Sequence, residues 1–311
     1  MRIHSAAIHY FDAVRRAGSI REAARRLNVA SSAVNRQILK LEEEVGTPLF
    51  ERTSAGLKLT ASGEALARHV IAVLQDLERA RSDIGALKGG HAGEIRIAAV
   101  EGVCGEILPE AIQRMRERAP RVTITVETFG SFAIPSVISE GLSDIGIAFA
   151  LRRNSDLHQV ALGRFRLGAV ARPDHPIAAK RKTTLAACLN SPIILATADL
   201  SINQLLGPEI SRISRSLEPV VTSGSIELMR ELTLRGIGIA FQTRVGLASA
   251  MDSGRLVHVP LDANGPIWSD LGVYVRAGRA LPSHVDRFVQ ILAEEISRRE
   301  LEENKSQGVK A

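Results

Sequence analysis

The apolar pattern of this chain changes its period near residue 94, and this change constrains the fold more than any other feature. Before residue 94, apolar residues recur every three or four positions, which is typical of amphipathic helices. After it, short runs of Val, Ile and Ala alternate with helical segments, which predicts strand–helix units and a parallel sheet. The sequence therefore predicts an all-α N-terminal part followed by an α/β part.

Three short helices are expected in the first 60 residues. Their apolar stripes consist of Ile8, Phe11 and Val14, of Ala23, Ala24 and Leu27, and of Val34, Ile38, Leu41 and Val45. Ser19 and Glu22 match a capping box at the start of the second helix, and Ser31 is a candidate N-cap of the third. Two short helices joined by a tight turn, the second with a polar and basic outer surface, predict a helix-turn-helix.

A small hairpin, or wing, is predicted directly after the third helix. Residues 46–60 contain a turn-rich segment between two short extended pieces. Arg52 and Lys58 lie near the predicted tip, where their side chains suit phosphate groups. The surrounding segment is basic as well, because residues 1–62 hold ten Lys and Arg against six Asp and Glu. Such a cluster favours a polyanionic partner.

Residues 61–88 predict one long helix with a heptad pattern. Its apolar positions are Leu66, Val70, Val73, Leu77, Ala80, Ile84 and Leu87. Because the stripe keeps a period of about 3.5 residues, we favour a coiled coil between two copies of the chain over a helix that faces the core of its own chain. Gly89 and Gly90 end the helix and predict a hinge.

Two regions of the chain match a known sequence pattern, and the matches span nearly its whole length. The N-terminal matches are Gly18-Ser19-Ile20-Arg21-Glu22-Ala23-Ala24-Arg25-Arg26-Leu27-Asn28-Val29, Ser32-Ala33-Val34-Asn35-Arg36-Gln37-Ile38, Leu41-Glu42, Gly46-Thr47-Pro48-Leu49-Phe50-Glu51-Arg52, Leu59-Thr60 and Gly63. The C-terminal matches are Leu108-Pro109, Gly141-Leu142-Ser143-Asp144-Ile145, His175-Pro176, Ser191-Pro192-Ile193-Ile194 and Gly236-Ile237-Gly238-Ile239-Ala240.

These matched segments resemble the LysR-type transcriptional regulators. The resemblance implies the organisation of the chain. A winged helix-turn-helix domain is expected at residues 4–61, a linker and dimerisation helix at 62–90, and a two-lobed effector domain resembling periplasmic binding proteins at 91–300. Lobe one would comprise 93–162 and 267–300, and lobe two 163–266. The contacts between copies, in a homodimer or homotetramer, are expected at Leu66, Val70, Val73, Leu77 and Ile84. The polar residues 301–311 are expected to form a disordered tail.

The resemblance also implies that the third helix enters the major groove of double-stranded DNA. There Asn35 can pair with adenine and Arg36 with guanine or phosphate. The candidate DNA-binding residues are Arg21, Arg25, Arg26, Ser31, Ser32, Asn35, Arg36, Gln37, Lys40, Arg52 and Lys58. Family members often carry Gln at the position of Ser31 and Ser at that of Asn35, so the base sequence read here is expected to differ from the usual one.

A small-molecule effector is expected in a cleft between the lobes, at the ends of the strands. The turns that follow the predicted strands supply Gly102, Cys104, Ser131, Phe149, Thr197 and Ser225. Gly102 and Ser131 match positions that the family uses to hold effectors. Because helix N-termini at such turns attract anions, a small carboxylate is expected as the effector. Plain helix capping is the alternative role of the serines.

Three other functions were weighed against a regulator. An enzyme is disfavoured because the sequence holds no G-x-S-x-G, G-x-G-x-x-G, P-loop or His metal triplet, and no cofactor or metal is expected. A solute-binding protein with the same lobes is disfavoured by the basic N-terminal helices. A thiol redox sensor of the same family is disfavoured because Cys104 and Cys188 fall in different lobes. The sequence shows no signal peptide and no apolar stretch of 18 residues, so a cytoplasmic protein without a membrane partner is expected.

Overall fold

The computed structural model describes residues 5–54, 56–87, 93–213, 217–262 and 264–306. The chain divides into two compact units, one formed by Met1–Arg81 with Glu140–Leu142 and the other by Ser82–Ser139 with Ser143–Ala311. The predicted hinge at Gly89 and Gly90 lies outside the described residues. No described helix is both long enough and apolar enough to cross a membrane.

The first unit contains helices followed by a hairpin and a longer helix. The elements that begin in it are α1 (Ala6–Ala17), α2 (Ile20–Leu27), α3 (Ser31–Val45), β1 (Phe50–Thr53), β2 (Gly56–Leu59) and α4 (Ala61–Leu87), and the last six residues of α4 belong to the second unit. The core consists of the predicted apolar stripes, extended by α4: Phe11, Val14, Ala23, Ala24, Val34, Ile38, Leu41, Leu49, Ala67 and Val70. The predicted stripe of α3 is wrong at one position, because Val45 at the C-terminus of this helix is exposed.

Two predicted helix caps are wrong. Ser19 is the N-cap residue of α2, but its side chain makes no capping hydrogen bond. Glu22 instead accepts hydrogen bonds from the guanidinium groups of Arg25 and Arg26, one turn further along the helix. The N-cap of α3 is Ala30, and Ser31 is the first residue of the helix.

Hydrogen bonds to backbone atoms of the wing hold it against the helices. The Oε1 atom of Glu42 in α3 accepts hydrogen bonds from the backbone nitrogens of Leu49 (2.8 Å) and Phe50 (3.2 Å). The backbone nitrogen of Leu57 donates to the carbonyl oxygen of Gly18 at 2.9 Å. Gly56 permits this approach, because it has a φ of +118° and a Cβ there would lie 2.8 Å from the same oxygen.

The heptad stripe of α4 is partly used within the chain. Val70 is fully buried in the core of the first unit, and Leu77 is 5% exposed. These two positions therefore have no free surface for a partner, and their prediction as contacts between copies is wrong. Ile84 is 43% exposed, and Leu66 and Val73 are half-buried.

The second unit contains ten strands and seven α-helices among its described residues. In chain order they are β3 (Gly93–Ala99), α5 (Ile107–Arg118), β4 (Val122–Thr128), α6 (Ile134–Ser139), β5 (Ile145–Phe149), β6 (Leu157–Arg166), β7 (Gly168–Ala171), α7 (Leu185–Cys188), β8 (Ile194–Ala196), α8 (Ser201–Arg212), β9 (Val221–Ser223), α9 (Ile226–Leu234), β10 (Ala240–Gln242), α10 (Ala248–Asp252), β11 (Val257–Pro260), β12 (Trp268–Arg276) and α11 (Ser283–Ser306).

Lobe one is built on a five-stranded sheet with the order β4-β3-β5-β12-β6. The strands β4, β3 and β5 are parallel, as predicted, but β12 is antiparallel to both β5 and β6. The sheet is therefore mixed. Strand β6 continues in this sheet to Arg166, so the chain leaves lobe one near Leu167 and not at residue 163.

Lobe two contains two smaller sheets, with the orders β10-β7-β11 and β8-β9. A single bridge between Ile193 and Ile239 joins them. Its apolar core is separate from that of lobe one. The two lobes are connected where the backbone nitrogen of Leu167 donates to the carbonyl oxygen of Ile267 at 2.9 Å.

The predicted disordered tail is wrong for residues 301–306, which continue α11. Ion pairs one turn apart stabilise this extension, such as Arg298 with Glu302 at 2.7 Å. Glu303 is buried, and its Oε1 accepts a hydrogen bond from the backbone nitrogen of Arg166. Residues 307–311 lie outside the described part of the chain.

Candidate DNA-binding face and ligand cleft

The outer surface of α3 is polar and basic, as predicted. Ser31, Ser32, Arg36 and Lys40 are exposed, while Asn35 is half-buried. Gln37 is half-buried as well. The apolar residues on the opposite side of α3 are in the core of the unit, so this surface is free to contact a partner.

Two of the predicted phosphate ligands on α2 are already engaged by an acidic side chain. Glu22 forms ion pairs with Arg25 at 2.8 Å and with Arg26 at 2.9 Å. Hydrogen bonds from these two guanidinium groups lower the pKa of Glu22 to about 2. The three side chains together therefore carry one net positive charge, although two arginines are present.

Other predicted cations are less constrained. Lys40 lies 3.7 Å from Glu44, and both side chains are exposed. Arg21, Arg36, Arg52 and Lys58 are exposed and have no ion-pair partner in the part of the chain that the structure describes. These four side chains are available for phosphate groups without breaking an existing contact.

The two basic residues of the wing lie on opposite faces of the hairpin. Arg52 is paired with Leu57, and Lys58 is paired with Glu51. Because neighbouring residues of a strand alternate between the faces, the side chains of Arg52 and Lys58 diverge. The sequence prediction placed both residues near the tip but did not assign their side chains to opposite faces of the hairpin.

A cavity of about 310 Å³ lies between the two lobes of the second unit. It is lined at the ends of the lobe-one strands by Gly102, Ser131 and Phe149, and from lobe two by Ser225. These are four of the six effector candidates of the sequence.

The other two candidates do not line this cavity. The Sγ of Cys104 is turned back toward the carbonyl oxygen of Val100, 3.8 Å away. Thr197 lies behind Gly224, because a Cβ at that glycine would be 3.2 Å from the Thr197 Oγ1. Thr197 and Ser131 therefore do not face each other across the cleft.

A carboxylate of lobe one forms hydrogen bonds with lobe two in the cleft. Glu101, in a short 3-10 helix after β3, accepts hydrogen bonds from the Ser225 Oγ (2.9 Å) and from the backbone nitrogen of Ile226 (2.6 Å). Ser225 also caps α9, because its Oγ accepts a hydrogen bond from the backbone nitrogen of Leu228. The capping role expected as the alternative for the serines is thus observed at Ser225.

A second carboxylate joins the lobes at a different place. Glu106, which precedes α5 in lobe one, accepts a hydrogen bond from the backbone nitrogen of Ala248 at the start of α10. It also forms an ion pair with Arg299 of α11 at 3.0 Å. Each of these two contacts therefore places a lobe-one carboxylate at the N-terminus of a lobe-two helix.

Both thiols are held in the protonated state. Burial and the nearby Glu101 carboxylate raise the pKa of Cys104, and burial raises the pKa of Cys188 to about 11. A reactive sensor thiol requires a lowered pKa, so these environments disfavour the redox alternative. No group of three or more His, Cys, Asp and Glu that could hold a metal ion occurs among the described residues.

Comparison with known families covers both units. Residues 5–64 match the family described as a bacterial regulatory helix-turn-helix protein of the lysR family, and residues 88–297 match the LysR substrate binding domain. The chain belongs to the LysR family. It is a DNA-binding transcriptional regulator with an effector-binding domain.

Individual relatives of this LysR-family regulator are distant but span most of its length. It is 26% identical over 246 residues to the probable nitrogen assimilation transcriptional activator of Synechococcus elongatus, which covers 78% of this chain and 79% of that protein. A full-length OxyR variant from Pseudomonas aeruginosa is 18% identical and has a TM-score of 0.72, covering 92% of this chain and 96% of that one. Full-length CbnR in complex with its target DNA has a TM-score of 0.56 at 18% identity, covering 93% and 99%. These structures establish the fold.

Sequence reasoning missed two acidic residues of the LysR-family cleft, Glu101 and Asp199, which both line it. Glu101 stands beside the predicted Gly102, and Asp199 precedes the N-cap residue of α8. Both residues could have been noticed in the sequence, because each is acidic and lies directly before a glycine turn or a helix start. The same pattern equally indicates ordinary helix capping.

Proposed function

We propose that this protein recognises a specific DNA sequence through α3 and that a small molecule bound between the lobes controls this recognition. The observation that carries the proposal is the exposed surface of α3, with Asn35 and Arg36 at its centre, on a unit whose core is complete without it. The function is one of binding and control, without a catalytic step. Because such a regulator must reach the chromosome, we place it in the cytoplasm.

The side chains of this surface divide into two roles. Asn35 can form two hydrogen bonds with adenine, and Arg36 two with guanine, while Ser31 and Ser32 can bond to several bases. Phosphate contacts are proposed for the remaining predicted residues: Arg21, Arg25, Arg26, Gln37, Lys40, Arg52 and Lys58. Since Ala30 cannot cap α3 with its side chain, the backbone N–H groups of Ser31 and Ser32 are also available to a phosphate.

Self-association through α4 is part of the proposal. Val73 and Ile84 keep exposed apolar surface that the rest of the described chain does not cover. Two copies joined there, as a homodimer or within a homotetramer, would present two α3 helices. Paired recognition helices bind half-sites about one helical turn of DNA apart.

Selection from a random DNA library tests the sequence recognition. The full chain is expected to enrich one motif, with two related half-sites. Asn35→Ala is expected to relax the base preference at one position of each half-site, because a bidentate contact is lost. Gln113→Ala, which removes an exposed amide from α5, is the matched control and should enrich the wild-type motif. Enrichment of no motif by the wild-type chain would contradict the proposal.

A further inference from the structure

The lining of the cleft bears negative charge and no positive charge. Among its nineteen lining residues, Glu101 and Asp199 are the charged side chains, and none is Lys, Arg or His. The chain as a whole has 40 Lys and Arg. A cleft built for a carboxylate would be expected to place one of these cations at the ligand, because buried anions need a partner of opposite charge.

The helix N-terminus that could have attracted an anion is already occupied. The carboxylate of Glu101 bonds to the first backbone nitrogen of α9 and to its N-cap residue, Ser225. An anionic ligand would have to displace this internal carboxylate or lie next to it. Either arrangement costs free energy through the repulsion of like charges.

Acceptor atoms without donors lie in the same cleft. Asp199 is exposed, and its carboxylate makes no hydrogen bond or ion pair within the described part of the chain. Gln242 is 3% exposed, and its Oε1 has no hydrogen-bond partner among the described residues. The carboxylate of Glu101 can accept further hydrogen bonds as well, since an ionised carboxylate offers about four lone-pair positions and only two are used here.

The rest of the lining is largely apolar. Phe129 and Phe149 contribute aromatic rings from lobe one, and Leu200, Ile202 and Ile226 contribute aliphatic side chains from lobe two. Hydroxyl groups complete the lining. A ligand that fits these walls has an apolar body with a donor group at one end.

We infer that the effector of this regulator is an organic amine with an apolar body, whose ammonium group pairs with Asp199 and reaches Glu101. The inference rests on the proposed function of the cleft, and it replaces the carboxylate expected from the sequence. The rival is an anion at the N-terminus of α8, which also begins at the cleft with no side-chain cap. Asp199 immediately precedes that N-terminus and opposes an anion there.

Three probes with the same apolar body and different charge separate these possibilities. Phenethylamine, phenethyl alcohol and hydrocinnamate share a phenyl group on a two-carbon chain and end in an ammonium, a hydroxyl and a carboxylate. Calorimetric titration of the full chain should give the order amine, alcohol, carboxylate in decreasing affinity. Asp199→Asn should weaken the amine by up to about fivefold, as expected for a partly exposed ion pair, and leave the alcohol unchanged.

Two control variants test whether the loss of affinity is specific to Asp199 and whether the probes bind in the cleft. Asp156→Asn removes an exposed carboxylate of lobe one outside the cleft and should change no affinity. Gly102→Leu should abolish binding of all three probes, because the leucine side chain would fill the cleft that Gly102 lines. There is room for it, since a Cβ at this position would lie 4.0 Å from its nearest neighbour, the ring of Phe149.

The possible failures are distinguishable. Tightest binding by hydrocinnamate, abolished by Gly102→Leu, would overturn the amine while leaving the effector cleft in place. An amine affinity that Asp199→Asn does not change, or no amine binding at all, would equally overturn it. Binding that Gly102→Leu leaves intact would contradict the cleft itself.

Discussion

The contact between Glu101 and α9 gives a sharp prediction about how the lobes are held together. Glu101→Gln preserves the shape of the side chain and one acceptor oxygen but removes the charge. The carboxylate now makes two interlobe hydrogen bonds, of 2.9 Å to the Ser225 Oγ and 2.6 Å to the Ile226 nitrogen. An amide at this position can accept only one of them.

The expected cost follows from these contacts. A hydrogen bond to a charged group contributes about 1.5–3 kcal/mol, and a negative charge at a helix N-terminus contributes about 0.3–1 kcal/mol. Glu101 is half-buried and water can replace part of the lost bond, so we expect closure of the lobes to weaken by about 1–2 kcal/mol. This corresponds to a factor of about 5–30 in the equilibrium between closed and open lobes.

Hydrogen exchange of the full chain measures this change. Opening of the lobes exposes the backbone amide of Ile226 and also that of Ala248, which is held by Glu106 at the second interlobe contact. Both amides should therefore exchange faster in Glu101→Gln by a similar factor. Glu117→Gln, an exposed position on α5, should change neither. Faster exchange confined to Ile226 would show that Glu101 only caps a helix, and this would refute the reasoning.

Three further predictions concern charge, assembly and pH. Glu22→Gln raises the net charge of the group formed with Arg25 and Arg26 from one to two positive charges. The salt dependence of DNA binding, measured by anisotropy, should therefore steepen by up to about 0.9 in log–log slope, the value for one more phosphate contact; an unchanged slope would mean that these arginines do not reach DNA. Val73→Asp with Ile84→Asp should shift the protein toward monomers in light scattering, because carboxylates are costly in an apolar seam; dimers of unchanged stability would contradict the α4 interface. Desolvation and the Arg244 charge lower the pKa of His258 to about 4. As the pH drops from about 6.5 toward 4, the imidazole is therefore protonated in the unfolded chain before it is protonated in the folded one. The free energy of unfolding should fall over this range by up to about 3 kcal/mol. His258→Gln should flatten that part of a denaturation series, and an identical pH profile would contradict the assignment.

Apolar periodicity was sufficient to predict the helices of the first unit, because burial of Phe11, Val14, Val34 and Ile38 determines which faces pack together. The capping box was not predictable in this way. The same carboxylate, that of Glu22, can serve either the helix N-terminus or a guanidinium one turn later, and the choice depends on side-chain competition.

Long-range pairing explains the errors in the second unit. The sequence does not predict strand β6, because it is an edge strand whose register with β12 shifts between Val273 and Tyr274. Exposed polar residues such as His158 and Gln159 also mask its alternation. The extension of α11 depends on Glu303 meeting the backbone of Arg166, 137 positions earlier in the chain. Neither contact is visible in a local window of sequence.

The sequence predicted where the cleft lies but did not predict the negative charge of its lining. Gly102, Ser131, Phe149 and Ser225 line it because turns at the ends of parallel strands converge at one edge of a sheet. The choice of an anionic ligand relied on free helix N-termini. It did not foresee that Glu101 would reach across from lobe one and occupy one of them.

The ratio of specific to random DNA affinity, for wild type and Asn35→Ala at one salt concentration, tests the central claim most directly. Anisotropy titrations of the full chain on its selected motif and on a scrambled duplex supply both affinities. We predict that wild type prefers the motif by at least about 10³-fold. Asn35→Ala should lose roughly 1–3 kcal/mol of that preference for each half-site contact, with random-duplex affinity unchanged. A variant that weakens both duplexes equally, or neither, would contradict sequence reading by α3.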